Sequence, residues 1–358
     1  MDVKRVRISA GDGYTVAIGG GLLRSFGVLL AEIAGPCRAA VITDSNVERL
    51  YLSPVRAVLQ EAGFEVCSFV FPAGEGSKNL NTLSDILEFL ARNRLTRADC
   101  VVALGGGVVG DAAGFAAGCF LRGVRFIQLP TTLLAAVDSS VGGKTAVDLK
   151  AGKNLAGVFH QPSAVLCDTD FLNTLAPETF ADGAAEAIKT GVLSGEGLFS
   201  SFESGDFRGR VPEIIGECVA FKGKIVEADE FDASVRQTLN LGHTVGHAVE
   251  ACSGYTVTHG HAVAIGMAVI ARASERLGLC GEPVARRIVH TLTGNSLPVF
   301  SPYSAAELAQ AALSDKKRSG DTINLVIPRR IGECVLKKVS TDELTAVIGA
   351  GMEELPCR

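Results

Sequence analysis

Four of the six histidines fall between positions 243 and 261. Gly242-His243-Thr244-Val245-Gly246-His247 sets two imidazoles four residues apart, one turn of a helix, so both project from one face. His259 and His261 follow in Thr258-His259-Gly260-His261. Core histidines have no reason to cluster in this way, whereas a divalent cation needs several nitrogen or carboxylate ligands in one place. The segment therefore predicts a metal centre. A carboxylate ligand must come from another helix, and Glu186 is the lone acid of the apolar stretch Gly183-Ala184-Ala185-Glu186-Ala187-Ile188-Lys189. The same glutamate has Lys189 within reach on its own helix as an ion-pair partner.

A second chemistry is anion binding. Leu104-Gly105-Gly106-Gly107-Val108-Val109-Gly110-Asp111 follows a strand-like run and opens a helical one. Gly105, Gly107 and Gly110 satisfy G-x-G-x-x-G, in which small residues let the backbone close on a pyrophosphate at a helix N-terminus. No acid lies about 20 residues further on to take a ribose hydroxyl; Asp44, after an earlier strand, is the candidate for that role. Gly74-Glu75-Gly76-Ser77-Lys78 reads by itself as a solvated loop, and Pro130-Thr131-Thr132 as a helix cap with two hydroxyls at a strand end. Asp138-Ser139-Ser140-Val141-Gly142-Gly143-Lys144-Thr145 resembles a phosphate loop but lacks the glycine four residues before Gly-Lys-Thr, which argues against ATP hydrolysis. With Gly152-Lys153-Asn154-Leu155 it sets two lysines among glycines and predicts a pocket for an anion.

These residues need a scaffold, and composition limits its kind. Hydrophobic residues make up 47% and charged residues 20% of the 358, which excludes a largely disordered chain. A formal net charge of −5 excludes a general nucleic-acid binder, so any anionic ligand is held by a local positive cluster. No apolar run reaches the roughly 20 residues of a membrane span, and no secretory signal is expected behind Met1-Asp2-Val3-Lys4-Arg5. The ten cysteines are scattered without a C-x-x-C and read as reduced thiols of a cytoplasmic protein. Strand-like runs at 3–9 and 14–18 flank Gly11-Asp12-Gly13 as a hairpin, followed by strands at 38–43, 65–71, 100–104 and 125–128. Helical spacing fills 47–63, 79–94 and 110–121, so a parallel sheet with helices on both faces is expected. Beyond position 177 the pattern is helical at 178–192, 211–231, 243–252, 262–277, 282–292 and 305–313, with strands only at 323–327 and 334–338. The expected fold is a Rossmann-like α/β domain at 1–175 and a mainly helical domain at 176–358.

Taken together the motifs resemble those of 3-dehydroquinate synthases, a family of sugar phosphate cyclases. The matches are Gly105 to Asp111 with Gly114-Phe115, Arg122-Gly123, positions 128–134, 138–147, 152–155 and 183–189. They continue in Arg236-Gln237-Thr238-Leu239-Asn240-Leu241-Gly242-His243-Thr244-Val245-Gly246-His247-Ala248-Val249-Glu250, His259-Gly260 and Asp315-Lys316-Lys317, in order over nearly the whole chain. The resemblance implies NAD+ held by Asp44, Gly74, Glu75, Lys78, Gly106, Gly107, Val108, Val109, Gly110, Asp111, Thr131, Thr132, Lys144, Lys153, Phe171, Leu172, Asn173 and Thr174. It implies Zn2+, with Co2+ as a substitute, on Glu186, His243 and His259. It further implies a catalytic pocket for a small sugar phosphate from Asp138, Lys144, Asn154, Lys189, Lys222, Arg236, Asn240 and His247 with Lys316 or Lys317. Arg122 is expected to reach across the interface of a homodimer. His261 stands where such proteins usually carry an acid, a neighbour able to compete for the metal or tune it.

The reaction implied is conversion of 3-deoxy-D-arabino-heptulosonate 7-phosphate to 3-dehydroquinate and phosphate, a shikimate-pathway step toward aromatic amino acids. NAD+ borrows a hydride from a ring alcohol, phosphate leaves by elimination, the hydride returns, and the opened ring closes by an aldol addition. The cation stabilises the alkoxide and polarises the ketone, and the leaving phosphate is expected to accept the proton itself. Arg236 suits a planar carboxylate; Lys153, Lys189, Lys222, Asn154 and His247 suit the phosphate end. Three other readings stand beside this one. A metal-dependent polyol dehydrogenase releases NADH, a cyclase for a carboxylate-free sugar phosphate leaves Arg236 unpaired, and an NAD-sensing module releases no phosphate.

Overall fold

The computed structural model describes residues 3–205, 207–316 and 322–353. The chain divides into two compact units, Met1–Leu175 with Ile215–Phe231 and Ala176–Ile214 with Asp232–Arg358. The strands of the first are β1 (Lys4–Ile8), β2 (Tyr14–Gly19), β3 (Arg38–Asp44), β4 (Glu65–Phe71), β5 (Cys100–Gly105), β6 (Arg125–Pro130), β7 (Lys144–Leu149), β8 (Gly152–Phe159) and β9 (Ala164–Asp168). Seven of them form one sheet in the order β1-β2-β9-β6-β5-β3-β4. Only β1 runs antiparallel to its neighbour. Every residue of β5 is buried, the signature of a parallel strand covered on both faces. In β3, Ala40 and Ile42 join a cluster with Ile86, Leu90 and Ala113, while Ala39 and Val41 join one with Phe26, Leu30 and Leu59. This period of two puts α1 (Leu23–Ala34) and α3 (Ser53–Glu61) on one face. On the other lie α4 (Leu80–Arg92) and α5 (Gly107–Cys119). A short α2 (Ser45–Val47) leads through a wider turn, Glu48–Leu52, into α3.

Sequence periodicity does not reveal the β7–β8 hairpin, β9 or α1. Strand β8 carries Gly152 and Gly157 and exposes alternate residues, so it lacks both the composition and the continuous burial that mark the other strands. The Gly-Gly-Lys-Thr segment turns through Gly142 and Gly143, both at positive φ, into β7, whereas a nucleoside-triphosphate loop runs into a helix. Residues 215–231, which periodicity places with the C-terminal half, pack within the first unit. There Glu227 accepts the Ser9 N–H at 2.6 Å and Glu230 accepts from Gln161 at 2.8 Å.

The second unit is mainly helical: α6 (Pro177–Ser194), α7 (Glu196–Glu203), the start of α8 (Val211–Ala228), α9 (His243–Cys252), α10 (His259–Arg276), α11 (Ala285–Gly294), α12 (Ala305–Lys316) and α13 (Thr341–Met352). A hairpin of β10 (Thr322–Arg330) and β11 (Glu333–Ser340) completes it. Helix α10 is its centre, buried from Ala262 to Ser274 and packed on α6, α9, α11 and α13. Two glycines permit that packing. A Cβ at Gly266 would fall 2.0 Å from the Gly242 carbonyl oxygen, and one at Gly260 would fall 2.0 Å from that of Asp182. Backbone therefore meets backbone where α10 crosses the start of α9 and where its own start meets α6.

Candidate active site

In the first unit the candidates collect at the carboxyl ends of adjacent parallel strands. The chain leaves β3 for β4 on one side and returns through α4 to β5 on the other, so β3 and β5 bracket the point where the winding reverses. Open α/β sheets bind ligands at such a point. Thr43 pairs with Leu104, Leu104 with Leu129 and Gly105 with Pro130. Asp44, the triple-glycine turn and Thr131 thus lie side by side, and Thr131 N–H donates to the Gly105 carbonyl at 2.9 Å. Gly106 precedes the first turn of α5, and no side chain caps that turn. A Cβ at Gly106 would meet Thr132 Cγ2 at 3.0 Å, and one at Gly110 would meet Gln128 Oε1 at 2.8 Å. The third glycine thus serves close approach of α5 to β6.

Around this turn stands a buried ionic cluster. Lys78 is 5% exposed; its Nζ lies 2.5 Å from both Asp111 Oδ2 and Asn154 Oδ1. Burial disfavours its charge, but the carboxylates of Asp111 and Glu75 outweigh burial and hold its pKa above the usual lysine value. Lys153 pairs with Glu75 at 3.4 Å. Lys222 is turned onto Asp138, bonding its carboxylate and, at 2.7 Å, its carbonyl oxygen. Asp44 uses Oδ1 to cap α2 through the N–H groups of Asn46 and Val47. Phe171 and Leu172 are core side chains, and Tyr51 fixes their turn by bonding the Phe171 carbonyl and Thr174 Oγ1. Lys144 opens β7 and is exposed; Arg122 is exposed and left-handed at the end of the short turn Phe120–Arg122 that follows α5.

In the second unit Glu186, His243 and His259 bring ligand atoms within 4.8 Å of one another. Glu186 comes from the middle of α6, His243 from the first residue of α9 and His259 from the first of α10, the helix starts that the glycine contacts bring together. Glu186 Oε1 lies 3.8 Å from His243 Nε2 and 3.6 Å from His259 Nε2. Its carboxylate is wholly buried; Oε2 pairs with Lys189 Nζ at 2.5 Å, while Oε1 accepts no hydrogen bond among the described residues. Both imidazoles are oriented from behind. His243 Nδ1 lies 3.2 Å from the Leu241 carbonyl and His259 Nδ1 lies 3.2 Å from Glu250 Oε2. Those partners only accept, so each Nδ1 carries a proton and Nε2 is the nitrogen left to face a cation. Burial, Lys189 and the neighbouring imidazoles push the His243 pKa well down, keeping it neutral. Burial also opposes charge on His259, but Glu186 and Glu250 outweigh it and raise its pKa to about 10, so without a cation its Nε2 also carries a proton, facing Glu186, which a bound cation replaces. A buried carboxylate whose Oε1 faces the Nε2 atoms of two imidazoles fits a divalent cation of the zinc type.

His261 does not join this set. Its Nδ1 lies 3.2 Å from Asp182 Oδ1, which also accepts the His261 backbone N–H at 3.0 Å. Arg236 is buried in a short helix, Val235–Asn240, that ends on the exposed Asn240. His247 lies beside both ligand imidazoles, 5.4 Å from His243 and 5.8 Å from His259 between ring centroids. The Lys316 side chain and Lys317 lie outside the described residues. Sequence reasoning assigned no role to Glu250 or Asp182. Glu250 sits one turn after His247, and Asp182 one turn before Glu186, the only signals available.

Family profiles described as 3-dehydroquinate synthase N-terminal and C-terminal match residues 68–182 and 183–318. The 3-dehydroquinate synthase of Streptococcus sanguinis is 42% identical over 338 residues, covering 92% of this chain and 95% of its own. A solved 2-deoxy-scyllo-inosose synthase complexed with carbaglucose-6-phosphate, NAD+ and Co2+ matches with a TM-score of 0.87 at 25% identity, covering 97% of this chain and 99% of that one. A 2-epi-5-epi-valiolone synthase from Streptomyces hygroscopicus with NAD+ and Zn2+ bound gives 0.84 at 25% identity, covering 96% and 98%. With both halves matched in order and that identity sustained over nine-tenths of its length, the chain belongs to the 3-dehydroquinate synthase family.

Proposed function

We propose that this chain converts 3-deoxy-D-arabino-heptulosonate 7-phosphate to 3-dehydroquinate and phosphate, using NAD+ and a divalent cation on Glu186, His243 and His259. The observation that carries the reading is the buried Glu186 carboxylate facing the Nε2 atoms of His243 and His259 in a member of this family. When bound, NAD+ supplies a reversible hydride acceptor and the cation supplies Lewis acidity at the oxidised carbon's oxygen. The chain's own residues bind, orient and screen. The turn at Gly106 and Gly107 offers backbone N–H groups to a pyrophosphate, with Lys78 and Lys153 close by. Asp44 keeps one carboxylate oxygen for a ribose hydroxyl while the other caps α2. Gly74, Val108, Val109, Thr131, Thr132, Lys144 and residues 171–174 complete the cofactor set.

Arg236 is the cation suited to the substrate carboxylate, because its planar fork matches that group bidentately. Lys189 and Lys222, with Asn154, Asn240, His247 and Lys316 or Lys317, serve the phosphate and ring hydroxyls. Lys189 and Lys222 are each paired with an acid, so they engage the substrate by sharing or exchanging Glu186 and Asp138. A homodimer with Arg122 at its interface and a reducing cytoplasmic location belong to the same reading, the latter supported by nine free thiols among the described cysteines. The test is incubation with NAD+, Co2+ and the heptulosonate phosphate. Phosphate release without a net change in nicotinamide absorbance is expected. Accumulating NADH indicates a dehydrogenase, and release only from a carboxylate-free sugar phosphate indicates another cyclase.

A further inference from the structure

Glu250 lies on α9, three residues after His247, and is 2% exposed. A carboxylate so far from water is costly unless its oxygens are engaged. Its Oε2 faces His259 Nδ1 at 3.2 Å, while Glu186 Oε1 faces His259 Nε2 at 3.6 Å. His259 thus stands between two buried carboxylates, one at each ring nitrogen. A second group, His247, Glu250 and His259, also brings ligand atoms within 4.8 Å of one another, and His259 is common to both groups. The protonated ring nitrogen decides which group a cation can use.

We propose that Glu250 is a positioning residue that commits His259 to the Glu186 and His243 group. By accepting the Nδ1 proton it fixes the tautomer, holds the ring plane, and keeps its own oxygens from acting as ligands. Asp182 fixes the backbone of the same turn through the His261 N–H, whereas Glu250 holds the ring itself, at the nitrogen opposite the one that faces Glu186. The inference rests on the metal reading above.

The experiment titrates full-length wild type, Glu250→Gln and Glu250→Ala with Co2+ alone, measuring affinity by chelator competition and coordination by visible d–d absorption. Loss of an outer-shell partner of a ligating histidine costs 10- to 100-fold in metal affinity. Glu250→Ala is expected to lose affinity in that range and to change the d–d spectrum, with far-ultraviolet circular dichroism unchanged. Glu250→Gln keeps an oxygen acceptor in the same volume and is expected to fall between. It decides the matter by itself if the alanine variant does not fold. Wild-type affinity and spectrum in Glu250→Gln and in any folded Glu250→Ala overturn the proposal. Glu186→Gln in the same titration separates the two readings. Loss of Co2+ there with wild-type binding in the Glu250 variants removes the positioning role alone, whereas a wild-type chain that takes up no Co2+ removes both.

Discussion

His247 lies beside both His243 and His259, yet the buried carboxylate Glu186 pairs with the other two. His247→Ala is therefore expected to retain stoichiometric Co2+ while losing most turnover, measured as phosphate release against metal content. Near-normal turnover in that variant removes His247 from the reaction. Lys78 and Asp111 form a buried ion pair whose contribution to stability can be measured directly. Removing one member of a buried ion pair strands the other and costs about 3–5 kcal/mol. Lys78→Met should lower the unfolding free energy by that order, and Lys78→Met with Asp111→Leu should recover most of it in a double-mutant cycle. Full additivity of the two losses would show that the pair carries no coupling. At this scale the sequence singles out candidates wherever they sit in one local run, as with His243 and the glycines 105–107. Glu250 and Asp182 were not, because each acts on a residue from another helix and nothing in their own neighbourhood marks the partner.

Helix starts carry most of the site, and their placement depends on close backbone contact. Gly266→Ala would drive a Cβ to 2.0 Å from the Gly242 carbonyl, where no flexible side chain can yield. The variant should lose several kcal/mol of stability, read by denaturant unfolding, and should lose Co2+ binding with it. A folded Gly266→Ala protein with full cation affinity would show that the α9–α10 contact does not set the position of His243. Strand starts show a pH-sensitive counterpart. Asp99, ahead of β5, accepts the Arg38 N–H at 2.8 Å and the Thr96 N–H and hydroxyl at 2.6 and 2.8 Å. Burial alone would raise its pKa, but these donors outweigh it and hold the carboxyl below its ordinary value. A carboxyl depressed in the folded state adds stability above its unfolded pKa, and that contribution disappears as pH falls through the folded value. Asp99→Asn should lose about 1–3 kcal/mol at neutral pH and show a shallower loss of stability below about pH 4. An unchanged acid limb would assign that dependence to other carboxylates. Element identity was readable where periodicity was strong, as in β5 and α10. It failed for β8, whose glycines hide a strand, and for α13, although Ser340 and Glu343 form a capping box in plain sequence.

The division of the whole chain was legible only in part. Residues 215–231 have helical spacing that matches the C-terminal half, but their contacts to Ser9, Gly11 and Gln161 bridge some two hundred positions of sequence or close a long loop, and no local pattern encodes such partners. What the sequence leads one to expect is a separation of the NAD+ and metal chemistries, the cofactor's glycines and lysines before position 176, the metal's carboxylate and imidazoles after it. That separation has a thermodynamic consequence. A ligand that binds only the folded state adds RT ln(1 + [L]/Kd), about 2.7 kcal/mol at a hundredfold excess over Kd. NAD+ and Co2+ should each raise the unfolding temperature of the wild-type chain. Glu186→Gln should abolish the Co2+ increment and leave that of NAD+ intact, because the substitution removes a cation ligand in a unit that holds none of the expected NAD+ contacts. Gly106→Val should do the reverse, since its side chain enters the turn proposed to hold the pyrophosphate, against Thr132. If either variant loses both increments while remaining folded, binding of the two ligands is coupled and the assignment of one ligand to each unit fails.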